Sequence, residues 1–262
     1  MIRQFFVGAT GMSALEKDMI NITNNISNSK TIGYKATRTD MENIFPQVLE
    51  RAVQRIDEFN KPSNIELGSG VKVVATPKDF SQGTISVTNN EFDLAINGNG
   101  FLVFKLPNSE IAYGRAGNLN LDSTGQLVDP NGNILEPGIV IPDGTNTVRV
   151  AADGNVYITY SQETQERFVG QIRLAKFVNP AGLESVGNNL YKQTAASGEA
   201  NVGNPGEDNL GTISQFAIES SNVDIIGSMM EMLITQRAFD VISKAIQSGE
   251  TMLKSAAEIA RA

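Results

Sequence analysis

A chain of 262 residues, 40% hydrophobic and 19% charged, can bury one ordinary core with enough left for a second small unit, and is neither charge-expanded nor low in complexity. Its formal net charge of −8 disfavours a nucleic-acid partner, because phosphate binding needs a basic surface. With no His and no Cys, common zinc sites, cysteine nucleophiles, Ser-His-Asp triads and disulfide frameworks are excluded, while carboxylate-only glycosidase chemistry and Ser-Lys hydrolysis survive.

In chain order, Ile2, Phe5, Ala9, Met12, Met19, Ile22 and Ile26 recur at steps of three and four, with one double step over Glu16. This spacing lines one side of a helix. Glu16, Lys17 and Asp18 arrive before any sustained apolar run, so a cleaved Sec signal is not expected. Asn21, Asn24, Asn25 and Asn28 put amides on one face near the helix end. Asn is a poor interior helix former, so this local weakness calls for an outside reason. Capping accounts for Asn28 and is an option for Asn25; contact between subunits through side-chain amides accounts for the rest. Ser27 to Thr31 is polar and turn-prone, and Gly33 is well placed to stop the helix.

Residues 34–70 form an awkward connector. Val48, Leu49, Ala52, Val53 and Ile56 show helical spacing after Pro46, and Asn60-Lys61-Pro62-Ser63-Asn64 and Gly68-Ser69-Gly70 then break it. From residue 71 to about 220 the chain reads as short strands between Gly, Asn and Asp turns, an all-β pattern. Alternation at Thr84-Ile85-Ser86-Val87 and Val148-Arg149-Val150 marks half-buried strands. Asn97-Gly98-Asn99-Gly100 reads as a hairpin turn, since it lacks the third glycine and the Gly-Lys-Ser/Thr of phosphate loops. Asp122, Asp129, Asp143 and Asp153 read as turn caps, because none sits in an alternating Asp-x-Asp-x-Asp-Gly frame. The pairs Glu91 with Asp93 and Glu207 with Asp208 read as solvated surface. No catalytic, cofactor-binding or metal residue is assigned. One more strand run, 212–218, leads to Ser220, Ser221, Asn222 and Asp224, candidate N-caps for a final helix.

That helix carries Ile225, Met229, Met232, Phe239, Ile246, Leu253, Ala257 and Ala260, interrupted at Gln236, Ser243 and Glu250, as a coiled-coil-like seam. A second stripe runs through Ile234, Ala238, Val241, Ala245, Met252, Ala256 and Ile259. One partner helix cannot cover both, so packing on several sides is expected. Interspersed charges leave no apolar run of about eighteen residues, which excludes a membrane span.

The segment from Asn24 to Lys35, with Asn24, Asn25, Asn28, Gly33, Tyr34 and Lys35, resembles the N-terminal signature of the bacterial flagellar rod and hook axial proteins, with conservative departures at Ile26, Ser27 and Tyr34. Ser221-Asn222-Val223-Asp224 and the run containing Gln236, Arg237 and Ala238 resemble its C-terminal counterpart. The likeness continues through Asp93 to Phe101, Tyr113-Gly114-Arg115-Ala116-Gly117 and Gly182 to Tyr191, and thus over essentially the whole chain. It implies an α+β fold in which residues 1–30 and 224–262 pair as an inner coiled-coil-like domain. Residues 31–70 would be a connector projecting as a long β-hairpin, against the helical spacing of Val48 to Ile56, and residues 71–223 a β-rich outer domain.

Length and the middle segments most resemble the distal rod branch, and the connector from Asp40 to Leu67 resembles the extra stretch typical of it. The resemblance then implies a non-enzymatic subunit of a hollow shaft in the flagellar basal body, spanning periplasm to outer envelope and exported by the flagellar type III route without a cleaved signal. Implied partners are further copies of the chain, proximal rod proteins, the hook protein or hook junction, and the surrounding outer-envelope ring, with no cofactor, nucleic acid or membrane insertion. The alternatives are a proximal rod or hook-type relative, or a secreted β-rich carbohydrate-active enzyme, which needs a carboxylate pair facing a cleft.

Overall fold

The computed structural model describes residues 2–50, 65–160 and 165–259. The fold is α+β and divides into two units: residues 1–26, 37–77 and 225–262 form one, and residues 27–36 with 78–224 form the other. The connector is therefore not a separate body, since most of it joins the terminal helices and its first residues join the β-rich unit.

The helical unit contains α1 (Ile2–Ser27) and α2 (Ile225–Ile259). Its other part is an antiparallel ladder in which Asp40–Asn43 pairs with Val71–Ala75 and Gln47–Glu50 with Ile65–Leu67. Between these rungs the Ile44 N–H donates to the Gly70 carbonyl at 2.9 Å. Val48 and Leu49 are thus in a strand, which overturns the helical spacing read there; Ala52, Val53 and Ile56 lie outside the described residues. A few apolar positions after a proline fit either period, and pairing across the ladder decides between them. Arg3 of α1 donates to Gln47 Oε1, to the Leu67 carbonyl and, at 2.9 Å, to Ser69 Oγ.

The β-rich unit is organised around Phe101–Lys105. One edge of this strand pairs with Ile111–Gly114, and the other is shared by Leu174–Lys176 and Ile134–Leu135. Its alternate residues point into different cores. Leu102 and Phe104 pack with Leu94, Ile96, Leu135, Ile158 and Leu174, while Phe101 and Val103 pack with Tyr113, Phe177 and Tyr191. A strand buried on both faces reads as a continuous apolar run, as Phe101 to Phe104 does. A three-stranded sheet of Thr145–Val150, Asn155–Tyr160 and Arg167–Gln171 closes the larger core with Val148, Val150, Val156 and Ile158.

Asn97-Gly98-Asn99-Gly100 is not a hairpin turn. The flanking strand Leu94–Asn97 pairs with Thr212–Gln215, so the turn carries the chain from one sheet to another. The run at 212–218 is two strands, because Phe216 takes φ +58 and redirects Ala217–Glu219 onto Ile85–Val87. Three aspartates do cap turns: Asp122 Oδ1 accepts from the Thr124 and Gln126 N–H groups, Asp129 Oδ1 from Asn131 and Asn133, and Asp153 Oδ1 from Asn155. Asp93, expected on the surface, is buried and accepts from Asn90 Nδ2 at 2.9 Å.

Candidate assembly interface

The terminal helices run antiparallel. A Cβ placed on Gly8 would lie 2.8 Å from Ile246 Cδ1, one on Gly11 would lie 3.4 Å from Ile242 Cδ1, and one on Gly249 would lie 3.7 Å from the Phe5 ring. Farther along, Thr235 Oγ1 donates to Asp18 Oδ2 at 3.3 Å. Small residues at 8, 11 and 249 let the two backbones approach, and the large side chains of the facing helix fill the space.

The covered face of α2 is Ser228, Met232, Thr235, Phe239, Ile242, Ile246, Gly249 and Leu253, with steps alternating four and three. That is an uninterrupted heptad seam. Of the expected seam positions it contains Met232, Phe239, Ile246 and Leu253. It passes through Thr235, Ile242 and Gly249 where the sequence reading met its interruptions at Gln236, Ser243 and Glu250. Ile225 and Met229 are exposed, and so are Gln236 and Arg237, while Ala238 is half-buried. On α1, Ile2 opens the helix, Ile22 is buried, Phe5, Met12, Met19 and Ile26 are half-buried, and Ala9 is exposed. Hydrophobicity alone missed Gly8, Gly11, Thr235 and Gly249, whose contribution to the seam is their small size.

The second stripe of α2 is uncovered at its large side chains, with Ala238 half-buried. Ile234 is 65% exposed, Val241 65% and Ile259 78%, and Met252 is also exposed. At roughly 3.6 residues per turn these four fall within a narrow arc more than a quarter turn from the seam, and Ile226, Met230 and Leu233 extend the same apolar side. Among the described residues no helix is long and apolar enough to cross a membrane.

The amides have intrachain partners. Asn25 is buried in the helical unit, where its Nδ2 donates to the Thr37 carbonyl at 2.7 Å and its Oδ1 accepts from the Thr37 N–H at 2.9 Å. Asn21 Nδ2 donates to Thr39 Oγ1, and Asn28 Oδ1 accepts from Thr31 Oγ1. The amides thus fix the turn leaving α1; Asn24 is exposed.

The rest of the signature lies in the β-rich unit. Gly33 has φ +67, and a Cβ there would stand 2.6 Å from the Ala116 nitrogen, so only glycine fits. Tyr34 and Lys35 are buried behind it. Lys35 Nζ donates to Glu219 Oε1 at 2.7 Å and to the Ser81 carbonyl at 2.6 Å, with both ion-pair side chains 0% exposed. Glu219 also accepts from the Gly83 N–H at 2.8 Å and from Arg115 Nη1 at 3.2 Å. Burial pulls the Lys35 ammonium below its ordinary pKa, and the hydrogen bond and charge of Glu219 oppose that pull. Asn222 is not a helix cap. Its Oδ1 accepts from the Ala36 N–H at 2.8 Å and its Nδ2 donates to the Asp79 carbonyl at 2.9 Å, while Val223, half-buried beside it, donates from its N–H to Ser221 Oγ. Asp79 in turn donates to the Ala36 carbonyl, so three separate stretches of chain are stitched together. Sequence reasoning missed Glu219 as the partner that Lys35 and Arg115 share. No local spacing connects residues 184 positions apart.

Residues 95–158 match the family model described as the flagellar hook protein FlgE/F/G D1 domain, and residues 214–259 match the flagellar basal body rod FlgEFG protein C-terminal model. The flagellar basal-body rod protein FlgG of Buchnera aphidicola subsp. Schizaphis graminum is 38% identical, over 99% of this chain and 100% of the relative. Those of Caulobacter vibrioides and Borreliella burgdorferi are each 36% identical, the first over 96% of this chain and 97% of the relative, the second over 100% of both. With relatives this similar over their whole length, the chain belongs to the FlgG family of flagellar basal-body rod proteins, structural proteins of that rod.

Proposed function

We propose that the chain is the distal rod subunit, a non-enzymatic building block that polymerises with copies of itself into a hollow, rigid shaft passing torque to the hook. The observation that carries this reading is the uncovered apolar side of α2, which α1 leaves open along most of its length. Burying a large apolar side chain is worth about 1.5 to 3 kcal/mol, so Ile226, Met230, Leu233, Ile234, Val241, Met252 and Ile259 together form a substantial drive for lateral association. Proximal rod proteins and the hook protein or hook junction adjoin the two ends of such a shaft, and an outer-envelope ring surrounds it. The shaft's place is between periplasm and outer envelope.

The ladder of Asp40–Asn43 and Gln47–Glu50 against Ile65–Leu67 and Val71–Ala75 supports the distal assignment over a proximal or hook-type one. Electron microscopy of polymer grown from the purified chain tests the proposal. Straight tubes with both termini innermost are expected, and deleting residues 46–66 is expected to soften or bend them. A chain that stays monomeric at high concentration, or that polymerises unchanged after loss of both terminal helices, would overturn it.

A further inference from the structure

The Lys35–Glu219–Arg115 cluster leaves a charge unbalanced. Two cations share a single buried carboxylate, and Asp79, the other acid whose charge acts on Lys35, is exposed and already accepts from the Ser81 N–H and Oγ. Arg115 is 3% exposed, yet among the described residues one of its five donors makes a hydrogen bond, the 3.2 Å contact to Glu219, and its buried Nε–H finds no acceptor there. Buried charge without a matching partner is costly, so such a group points to a ligand.

Arg115 lines a cavity of about 170 Å³ together with Phe80, Phe101, Phe177, Pro180 and Lys176. Its guanidinium lies over the Phe101 ring at 5.4 Å, and Phe101 packs edge-on against both Phe80 and Phe177. Lys176 is half-buried and makes no ion pair among the described residues. A dry cavity of about 150 Å³ takes a benzene-sized group, so this one has room for an acidic side chain including its methylene stem. Aromatic walls suit the stem, and the guanidinium and ammonium suit the head. Val178, next along the chain from the cavity wall, is 94% exposed, which leaves an apolar rim for an incoming surface. The chain itself has 29 Asp and Glu against 21 Lys and Arg, so its own copies offer carboxylates in excess.

We propose that this cavity receives an Asp or Glu side chain from a neighbouring copy of the chain, its stem between Phe80, Phe101 and Phe177 and its carboxylate on Arg115 and Lys176. This rests on the homopolymer reading above. The contact is lateral and belongs to the β-rich unit, whereas the stripe on α2 belongs to the helical one.

Polymer grown from mixed unlabelled and nitrogen-15-labelled full-length chains, treated with a carbodiimide, tests it, because that reagent joins an ammonium to a carboxylate only when they touch. Mass spectrometry is expected to find Lys176 joined to an Asp or Glu of the other isotopic form. Lys176→Gln should abolish that product and raise the concentration needed for polymerisation about threefold, as expected for a single partly exposed charge pair, at unchanged melting temperature. Intact polymer in which Lys176 joins nothing, or only its own chain, would overturn the cavity proposal and leave the shaft reading standing. So would K176Q chains polymerising as the parent does, or monomer whose cavity is occupied by phenylacetate while no interchain product forms in the polymer. Absence of polymer from the unmodified chain would sink both.

Discussion

Lys35 and Glu219 face each other with no exposed surface, and removing Glu219 strands both Lys35 and Arg115, whereas removing Lys35 leaves Glu219 on Arg115. Glu219→Gln is expected to cost about 3 to 5 kcal/mol in denaturant unfolding, Lys35→Met less, and the double variant less than their sum. Gly33→Ala should cost about 1 to 3 kcal/mol from the left-handed backbone alone, plus the collision with residue 116, seen as a lower melting temperature. Burial raises the phenol pKa of Tyr113 and of Tyr191. The fold therefore holds both protonated, so their contribution is complete below the unfolded value of about 10 and is lost as pH climbs through and past it. In an alkaline titration followed by ultraviolet absorbance, these two of the 5 tyrosines should ionise only as the chain unfolds. Lys35 was legible in the sequence as part of a signature. Its partner was not, because ion pairing across 184 positions is decided by strand packing and leaves no local period.

Among the elements, both helices were legible from three-and-four spacing, and their lengths of 26 and 35 residues leave α2 the longer. The face that α2 buries was half legible. Counting apolar residues favoured Ile225 and Met229, but close approach is set by what is small, and Gly8, Gly11 and Gly249 set it here. Gly8→Leu should drive into Ile246 and lower the helix content of the dilute chain measured by circular dichroism. Ile234→Ser with Val241→Ser should have the reverse profile. Helix content and melting temperature should stay near those of the parent, because both side chains are solvent-facing, while polymerisation followed by light scattering should require about tenfold more protein. The strand at Gln47–Glu50 was legible only through the hairpin that the family resemblance implied, not from its own residues, since its hydrogen-bonding partner at Ile65–Leu67 lies beyond a 14-residue gap and no short-range pattern announces it.

At the level of the whole molecule, the helix-β-helix order was legible from composition and turn chemistry, while the exchange of chain between the two compact units was not. The sequence suggested cuts near 30, 70 and 223, whereas the units exchange the chain after 26, 36, 77 and 224. The difference at the first cut comes from Gly33, Tyr34 and Lys35, which anchor residues 27–36 in the β-rich unit through the Gly33 N–H bond to the Glu219 carbonyl and the Lys35 ion pair. Amide exchange should show this as protection at Gly33 comparable to that of the Phe101–Lys105 strand, and slower than the exposed end of α2 near Ile259.

Four crossings also mean that neither unit hangs from a single thread. Severing the backbone at any one of the four would still leave the halves tethered through the others, much as a laid rope survives the parting of one yarn.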